Sequence, residues 1–422
     1  MAAARRAGLD DVTLDARSTV DRFFGGPFLR FPRQGQIDAI SYLAGLVRAV
    51  ERRGGRIFGR SPVRDVAGGR PARAVTRDGW TVAARAVVVA TNTPFNDRLA
   101  IHGKQAAYTT YALAARVPRD AVPRVLAWDT ADPYHYVRLT DDVREPGAPS
   151  GGGASAGELL IVGGEDHKTG QADDFRRPHA RLESWTRAHF PMVEEVAFRW
   201  SGEVMETIDG LAYIGRNPGD DPNVFVATGD SGHGMTHGTI AGMLLCDLID
   251  GRTNPWQLVY DPARLPMRAA PELAREGTNV ALQYARWVRG GDATSVDEVL
   301  PGEGAIVRSG VDLLAVHRDD DGRVHARRAM CPHLGCVVSW NAFEKTWDCP
   351  CHGSRFDRFG ELIHGPAQRG LARVDDAGAD GFAVRAASAV LDAALRSASM
   401  AAALALRALR AIRRGEAGPG AR

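Results

Sequence analysis

Cysteine is scarce in this chain. Only five of its 422 residues are Cys, and four of the five fall between residues 331 and 351. A disulfide framework spread over the fold is excluded, so the crowding of four thiols into one stretch becomes the feature to explain. Long hydrophobic runs are missing too. No stretch of about eighteen uncharged apolar residues occurs, so no segment is expected to span a membrane. The opening residues, MAAARRAGLDDVTLDA, carry arginines with no apolar segment behind them, which argues against a secretory or twin-arginine signal. Charge of one sign is also lacking. The net charge is +2, which leaves no bulk electrostatic case for a nucleic-acid partner. Internal repeats are absent. The expected location is the cytoplasm, where thiols stay reduced and clustered cysteines point to a metal.

What remains is an ordinary globular composition, 44% hydrophobic and 25% charged, long enough for about two or three domains. Residues 36–52 place Ile37, Ile40, Leu43, Leu46, Val47 and Val50 at helical spacing, and Gly54-Gly55 stop the helix. The run AVVVA at 86–90 reads as a strand of a parallel sheet, buried on both faces. Residues 98–205 differ. Short alternating strands (TTYALAARV, YHYVRLT, ELLIVGG) with one helix near 174–189 predict an antiparallel sheet, and Gly147–157 reads as a flexible loop. NVFVATG (223–229) predicts another buried strand, followed by a helix that ends at Gly251. Residues 252–293 read as a connector, and short strands and turns from about 294 to 386 predict an all-β module.

The cysteine cluster has the form C-x-H-x-x-C, twelve residues, then C-x-C-H. Cys331, His333, Cys349 and His352 offer one thiolate and one imidazole from each of two loops. A two-iron cluster with two thiolates on one iron and two imidazoles on the other needs that inventory. A structural zinc site is the plainer use of such ligands, but neither C-x-H nor C-x-C-H is a usual zinc-finger spacing. The pattern resembles the Rieske [2Fe–2S] family. The likeness extends to Gly335, to Gly353-Ser354 after the second histidine, and to Gly365-Pro366-Ala367, similar to the family's covering proline loop. The resemblance implies Cys331, His333, Cys349 and His352 as cluster ligands and a Cys336–Cys351 disulfide. Rieske oxygenases usually carry tyrosine where this chain has Cys351, and they need a further iron domain, so the likeness is to the electron-transfer branch. In respiratory Rieske proteins a serine and a tyrosine hydroxyl bond the cluster sulfurs. Here Ser354 keeps the first donor and Phe356 replaces the second.

A Rieske module carries electrons singly and implies a partner that feeds it. The stretch 210–251 combines a buried strand, a turn with Gly229, Gly232, Gly234 and Gly238, and a helix start. Such a turn lets backbone approach a ligand, and a tight strand-to-helix turn with no ligand would use the same glycines. Together with VVVATNTPF, DTADPYHYVRL, LIVGGEDHKTG and RWSGEVMETIDGLAYIG, it resembles the D-amino-acid-oxidase-like FAD-dependent oxidoreductases over most of residues 15–260. The resemblance implies FAD, a small-molecule substrate on an antiparallel sheet, and an external electron carrier. It puts the backbone around Val63 at the adenine, Ala90, Thr91 and Asn92 near the pyrophosphate, and Gly232, His233, Gly234, Met235 and Thr236 at the flavin ring, with Gly229 also among the cofactor-binding residues. The family's first strand and its G-x-G-x-x-G turn have no counterpart in these 422 residues. The chain therefore looks like a family member lacking its first βαβ unit, with an exposed apolar sheet edge.

The expected fold is an α/β flavin-binding region, incomplete and Rossmann-like, with an antiparallel substrate sheet and then an all-β Rieske domain. The expected divisions are a partial FAD-binding region (1–97), a substrate domain (98–205), a return segment of the FAD region (206–255), a connector (256–293), the Rieske domain (294–388) and a tail (389–422). Trp128, Tyr134, His135, Tyr136 and Arg138 could line a pocket or form a cross-strand ladder. His233 and His237 could neighbour the flavin, and Cys246 reads as core packing. No side-chain pair forms a recognisable nucleophile and base, and flavin oxidation needs none. In the tail, residues 391–414 put leucines on one side and arginines on the other, as for a helix on a membrane surface or a partner. The functional expectation is an oxidoreductase passing electrons between a small organic substrate, FAD and a Rieske cluster. The alternative is a Rieske-type electron-transfer protein whose flavin region is non-catalytic.

Overall fold

The computed structural model describes residues 1–17, 20, 23–96, 101–141, 157–172, 175–265, 269–287 and 290–374. The tail, the last part of the Rieske segment (375–388) and most of the 147–157 loop lie outside the described residues. Two compact units arise, each from discontinuous segments.

The first unit comprises Met1–Ser61, Thr110–Asp166 and Arg176–Gly202. Its core gathers Tyr111, Leu113, Leu139, Leu160, Val162, Leu182 and Phe190 from long strands and the helix Arg177–His189. Those strands belong to a five-stranded sheet in the order Val196–Thr207, Gln105–Val117, Glu158–Lys168, His135–Asp141, Ala127–Trp128. His135–Asp141 runs antiparallel to both of its neighbours. The helix at 36–52 forms as Ala39–Arg52, where Asp38 accepts the Ser41 N–H at 2.9 Å as N-cap. Gly54, at φ +81°, ends it. No residue of this helix is buried, and Ile40, Leu43, Leu46, Val47 and Val50 stand exposed along its apolar face.

The second unit comprises Pro62–Thr109, His167–Phe175 and the chain from Glu203 onward. Tyr213–Arg216, Val224–Thr228 and Val87–Val89 form a three-stranded sheet, with Val87–Val89 parallel to Val224–Thr228. The helix Gly234–Ile249 packs Leu244, Leu245 and Leu248 on Ile214 and Phe225. Two expectations change here. Val88 is 40% exposed whereas Val89, on the other face of the strand, is 3% exposed, so one face is left uncovered and the AVVVA run is not buried on both faces. Cys246 lies on the outer side of the helix and is exposed rather than packed in the core. The same unit holds the C-terminal β module. One antiparallel sheet joins Gly304–Ser309, Asp312–Arg318 and Val324–Arg328. A second is the meander Ser339–Asn341, Thr346–Asp348, Arg355–Asp357, Leu362–His364. The connector contributes the helix Ala270–Tyr284 and the turn Ala285–Trp287.

Candidate functional site

The two cysteine-bearing loops are built by the same backbone device. In the first, Cys331 N–H donates to the Cys336 carbonyl (2.8 Å) and the Cys331 carbonyl accepts from Gly335 N–H (3.0 Å). In the second, Cys349 N–H donates to the Ser354 carbonyl (2.8 Å) and its carbonyl accepts from Gly353 N–H (3.1 Å). Both closures need the left-handed region at the residue before the last, and Gly335 (φ +83°) and Gly353 (φ +78°) supply it. A Cβ on Gly353 would also stand 2.5 Å from Ala107 and from Glu203 Oε2. Each loop thus presents its cysteine at the start of a tight turn and its histidine at the tip.

The loops meet. A disulfide joins Cys336 to Cys351, with Cα atoms 6.4 Å apart. Cys331 and Cys349 are each 1% exposed, and their thiols hydrogen-bond one another. The His333 and His352 rings meet edge to face at 5.0 Å. Burial raises the Cys331 thiol, but hydrogen bonds from Cys349, Ser354 and the backbone of His333 and Leu334 outweigh it and hold Cys331 below the ordinary thiol value. Cys349 is pushed well above that value, by its bond to Cys331 and by burial. Burial, with the neighbouring His102, pushes His352 down to about 3, so its imidazole is neutral and free to ligate. Paired thiols and paired imidazoles, one of each from either loop, fit a [2Fe–2S] cluster.

The surroundings fix these groups. Ser354 is fully buried, its hydroxyl bonds the Cys331 thiol, and its oxygen accepts the Ala367 N–H (3.1 Å). Pro366 is buried beside it, and Gly365 (φ +120°) leaves no room for a Cβ against Ser354. Phe356 is fully buried and pairs across strands with Trp347. Asp348, just before Cys349, is fully buried and accepts from Asn341 Nδ2 (3.0 Å), Thr346 Oγ1 (2.9 Å) and Arg355 Nε (3.0 Å). Two clamps come from the connector, where sequence reasoning assigned nothing. Tyr284 Oη donates to the Leu334 carbonyl (2.6 Å) and Trp287 Nε1 to the Gly335 carbonyl (3.0 Å). A third missed residue is His102, whose ring lies 4.7 Å from His333 and 5.2 Å from His352. Tyr284 ends a helix, Trp287 ends the turn after it and His102 opens a short turn before a strand, so none belongs to a contiguous motif and only the folded chain reveals these three.

The residues expected at a flavin are brought together in part. The Asn92 carbonyl accepts the Thr228 hydroxyl (2.5 Å), which joins the 90–92 turn to the strand entering Gly229. Asn92, Gly229, Ser231 and Gly232 all have positive φ. Gly229 is walled by Thr207 and Gln105, whereas Gly232 has nothing within 4 Å of a built Cβ. Ala90 and Thr91 are exposed, as are residues 232–236, so the start of the helix Gly234–Ile249 is accessible to a group laid on it. That fits the flavin-ring side; the sequence offers no G-x-G-x-x-G for the pyrophosphate. Val63 begins the separate sheet Val63–Ala67, Ala72–Thr76, Thr81–Ala84. His233 is exposed, and His237 is buried with Nδ1 2.9 Å from the Asp230 carbonyl. In the first unit, Trp128 sits across from Tyr136 in register, and His135 bonds Asp129 (2.9 Å) and stacks on Trp185.

An α/β region with a flavin-type turn, joined to a β module with two cysteine–histidine loops, defines a flavoprotein fused to an iron–sulfur domain. Residues 1–248 match the FAD dependent oxidoreductase (DAO) family and residues 290–375 match the Rieske [2Fe-2S] domain. The chain belongs to the FAD dependent oxidoreductase family and carries a C-terminal Rieske domain; the cofactors of the two are FAD and a [2Fe–2S] cluster. YhfW of Bacillus subtilis (strain 168), a Rieske 2Fe-2S iron-sulfur protein by name, is 28% identical over 344 residues, 81% of this chain and 65% of YhfW. The cytochrome b6-f complex iron-sulfur subunit 1 of Nostoc sp. (strain PCC 7120) is 57% identical over 44 residues, 10% of this chain and 25% of that subunit. The chain therefore spans less than two thirds of either relative. Glycine oxidase from Geobacillus kaustophilus superposes with a TM-score of 0.48 at 22% identity, covering 62% of this chain and 69% of that one. Among the described residues no helix is long and apolar enough to cross a membrane.

Proposed function

We propose that the chain passes electrons between a small organic substrate, an amine or amino acid in class, and a one-electron carrier, by way of FAD and the Rieske cluster. When bound, FAD supplies two-electron hydride chemistry and the cluster supplies one-electron steps. Cys331 and Cys349 would hold one iron, His333 and His352 the other. Ala90, Thr91, Asn92 and the turn from Gly229 to Thr236 would hold the flavin, with Val63 at the adenine. We also keep the six-part division expected from sequence, a cytoplasmic location, and a partner or membrane surface for the basic stretch 391–414.

The observation that carries the reading is the position of His102. It belongs to the flavin-family region, yet its ring touches both imidazoles of the cluster loops within one compact unit. Rieske loops that served only an outside partner would have no use for that contact. The visible spectrum and the iron and flavin content of the purified chain test the proposal. Flavin bands beside the absorbance of a two-iron cluster are expected, and an amine substrate added anaerobically should bleach both. A second reading, in which the flavin-family region only scaffolds the cluster, is favoured by the exposed apolar face of the helix Ala39–Arg52. It predicts iron without flavin.

A further inference from the structure

Three imidazoles from three separate segments meet edge to face. His333 and His352 are 5.0 Å apart at 87°, and His102 lies 4.7 Å from the first at 67° and 5.2 Å from the second at 66°. His102 sits in the short 3-10 turn His102–Lys104, at the foot of the strand Gln105–Val117, and is 3% exposed. A buried imidazole costs free energy that an aliphatic side chain of similar size would not, unless its polar atoms are used. Here one is: Nε2 lies 2.9 Å from the Pro94 carbonyl, which can only accept, so Nε2 carries the proton and donates. Pro94 stands two residues after Asn92, whose carbonyl is held by the Thr228 hydroxyl beside Gly229. One side chain therefore touches both imidazoles of the cluster loops and the backbone that leads into the flavin-side turn.

We propose that His102 is the positioning residue that closes the imidazole edge of the cluster and joins it to the 90–94 turn, so that electrons cross that edge to and from the flavin and not to a freely diffusing reagent. The inference rests on the flavin–Rieske reading above. In the substrate-oxidising direction the balance is simple. A C–H bond of the substrate breaks and two electrons leave with it as a hydride. Bound FAD would accept that hydride, its two electrons would pass the His102 edge to the cluster one at a time, two equivalents of a one-electron carrier would take them from the cluster, and the substrate's protons would go to solvent. Packing of His102 alone would make the residue a spacer. Its simultaneous contacts with both rings and with the Pro94 carbonyl make it a link.

The test compares the full chain, loaded with FAD and cluster, with His102→Ala and His102→Phe, and reads two rates by stopped flow. One is cluster reduction after light-driven reduction of the flavin. The other is cluster oxidation by ferricyanide, a small external reagent. His102→Ala should slow the first by about tenfold or more, ~1.4 kcal/mol of barrier, and speed the second by a similar factor. His102→Phe refills the volume without the hydrogen bond, so it should return the ferricyanide rate to that of the parent while the flavin rate stays low. A residue that merely packs would move both rates together. Rates that change in the same direction, or not at all, overturn the inference. A parent chain whose reduced flavin leaves the cluster oxidised overturns the proposed function instead, and the ferricyanide rates then still decide whether His102 closes that edge.

Discussion

Among single residues, Ser354 and Phe356 are the two we propose tune the cluster. A hydroxyl bonded to a cluster sulfur stabilises the more electron-rich reduced state and raises the potential, within a Rieske range of about −150 to +300 mV. Ser354 is placed to do this, since its hydroxyl already bonds the Cys331 thiol. Phe356, fully buried in the same core, brings no donor. Ser354→Ala should therefore lower the midpoint and Phe356→Tyr raise it, each by roughly tens of millivolts on that scale, as read by protein-film voltammetry on the full chain. A Ser354→Ala midpoint equal to the parent would refute the hydrogen-bond account. These residues were legible in the sequence because they lie within two dozen positions of the ligands and belong to a contiguous pattern. His102, Tyr284 and Trp287 were not. Each reaches the loops from a distant segment, and one histidine, tyrosine or tryptophan has no spacing that betrays a contact made only on folding.

The elements that carry the loops depend on a buried ionic network. Asp348 ends the strand Thr346–Asp348 and Arg355 begins Arg355–Asp357, so their ion pair (3.0 Å) ties the two strands on either side of the second loop. Glu344 pairs with the same guanidinium. Removing one partner of a buried pair leaves the other uncompensated, at a cost of about 3–5 kcal/mol. Asp348→Ala should lower stability toward that amount in thermal or denaturant unfolding, with loss of bound iron. Wild-type stability and full iron content in that variant would show that the pair is dispensable. At this scale the sequence predicts a helix within 36–52, a parallel strand within 86–90 and the short-strand β module, and these form as Ala39–Arg52, Val87–Val89 and the two C-terminal sheets. It misjudged burial. An apolar run reports what a strand could bury, not whether a neighbour covers it, and Val88 on an uncovered strand face and Cys246 on an outer helix face are the result.

Across the whole molecule, the flavin-family segments and the Rieske segments share a compact unit. Glu203, on Val196–Thr207, bonds His364 of the Rieske meander (3.0 Å) with a side chain 4% exposed, and its Oε2 has no hydrogen-bond partner among the described residues. Burial raises this carboxyl above its ordinary 4.5, only partly opposed by His364. The folded chain then keeps a proton that the unfolded chain releases, so the contribution of this group is intact below the ordinary value and is lost as pH rises through the raised one. Glu203→Gln keeps the shape without the charge. It should raise the melting temperature at about pH 8 and leave it unchanged near pH 4; equal shifts at both values would show that ionisation of Glu203 is not what matters. The central claim, that electrons pass between flavin and cluster inside this chain, is tested most directly by electron paramagnetic resonance of the anaerobic full chain after light-driven reduction of its bound flavin. The account predicts a two-iron Rieske signal that grows as the flavin bands bleach and that is absent in Cys349→Ser and His333→Ala. A fully reduced flavin beside a silent cluster, or zinc in place of iron, would contradict it.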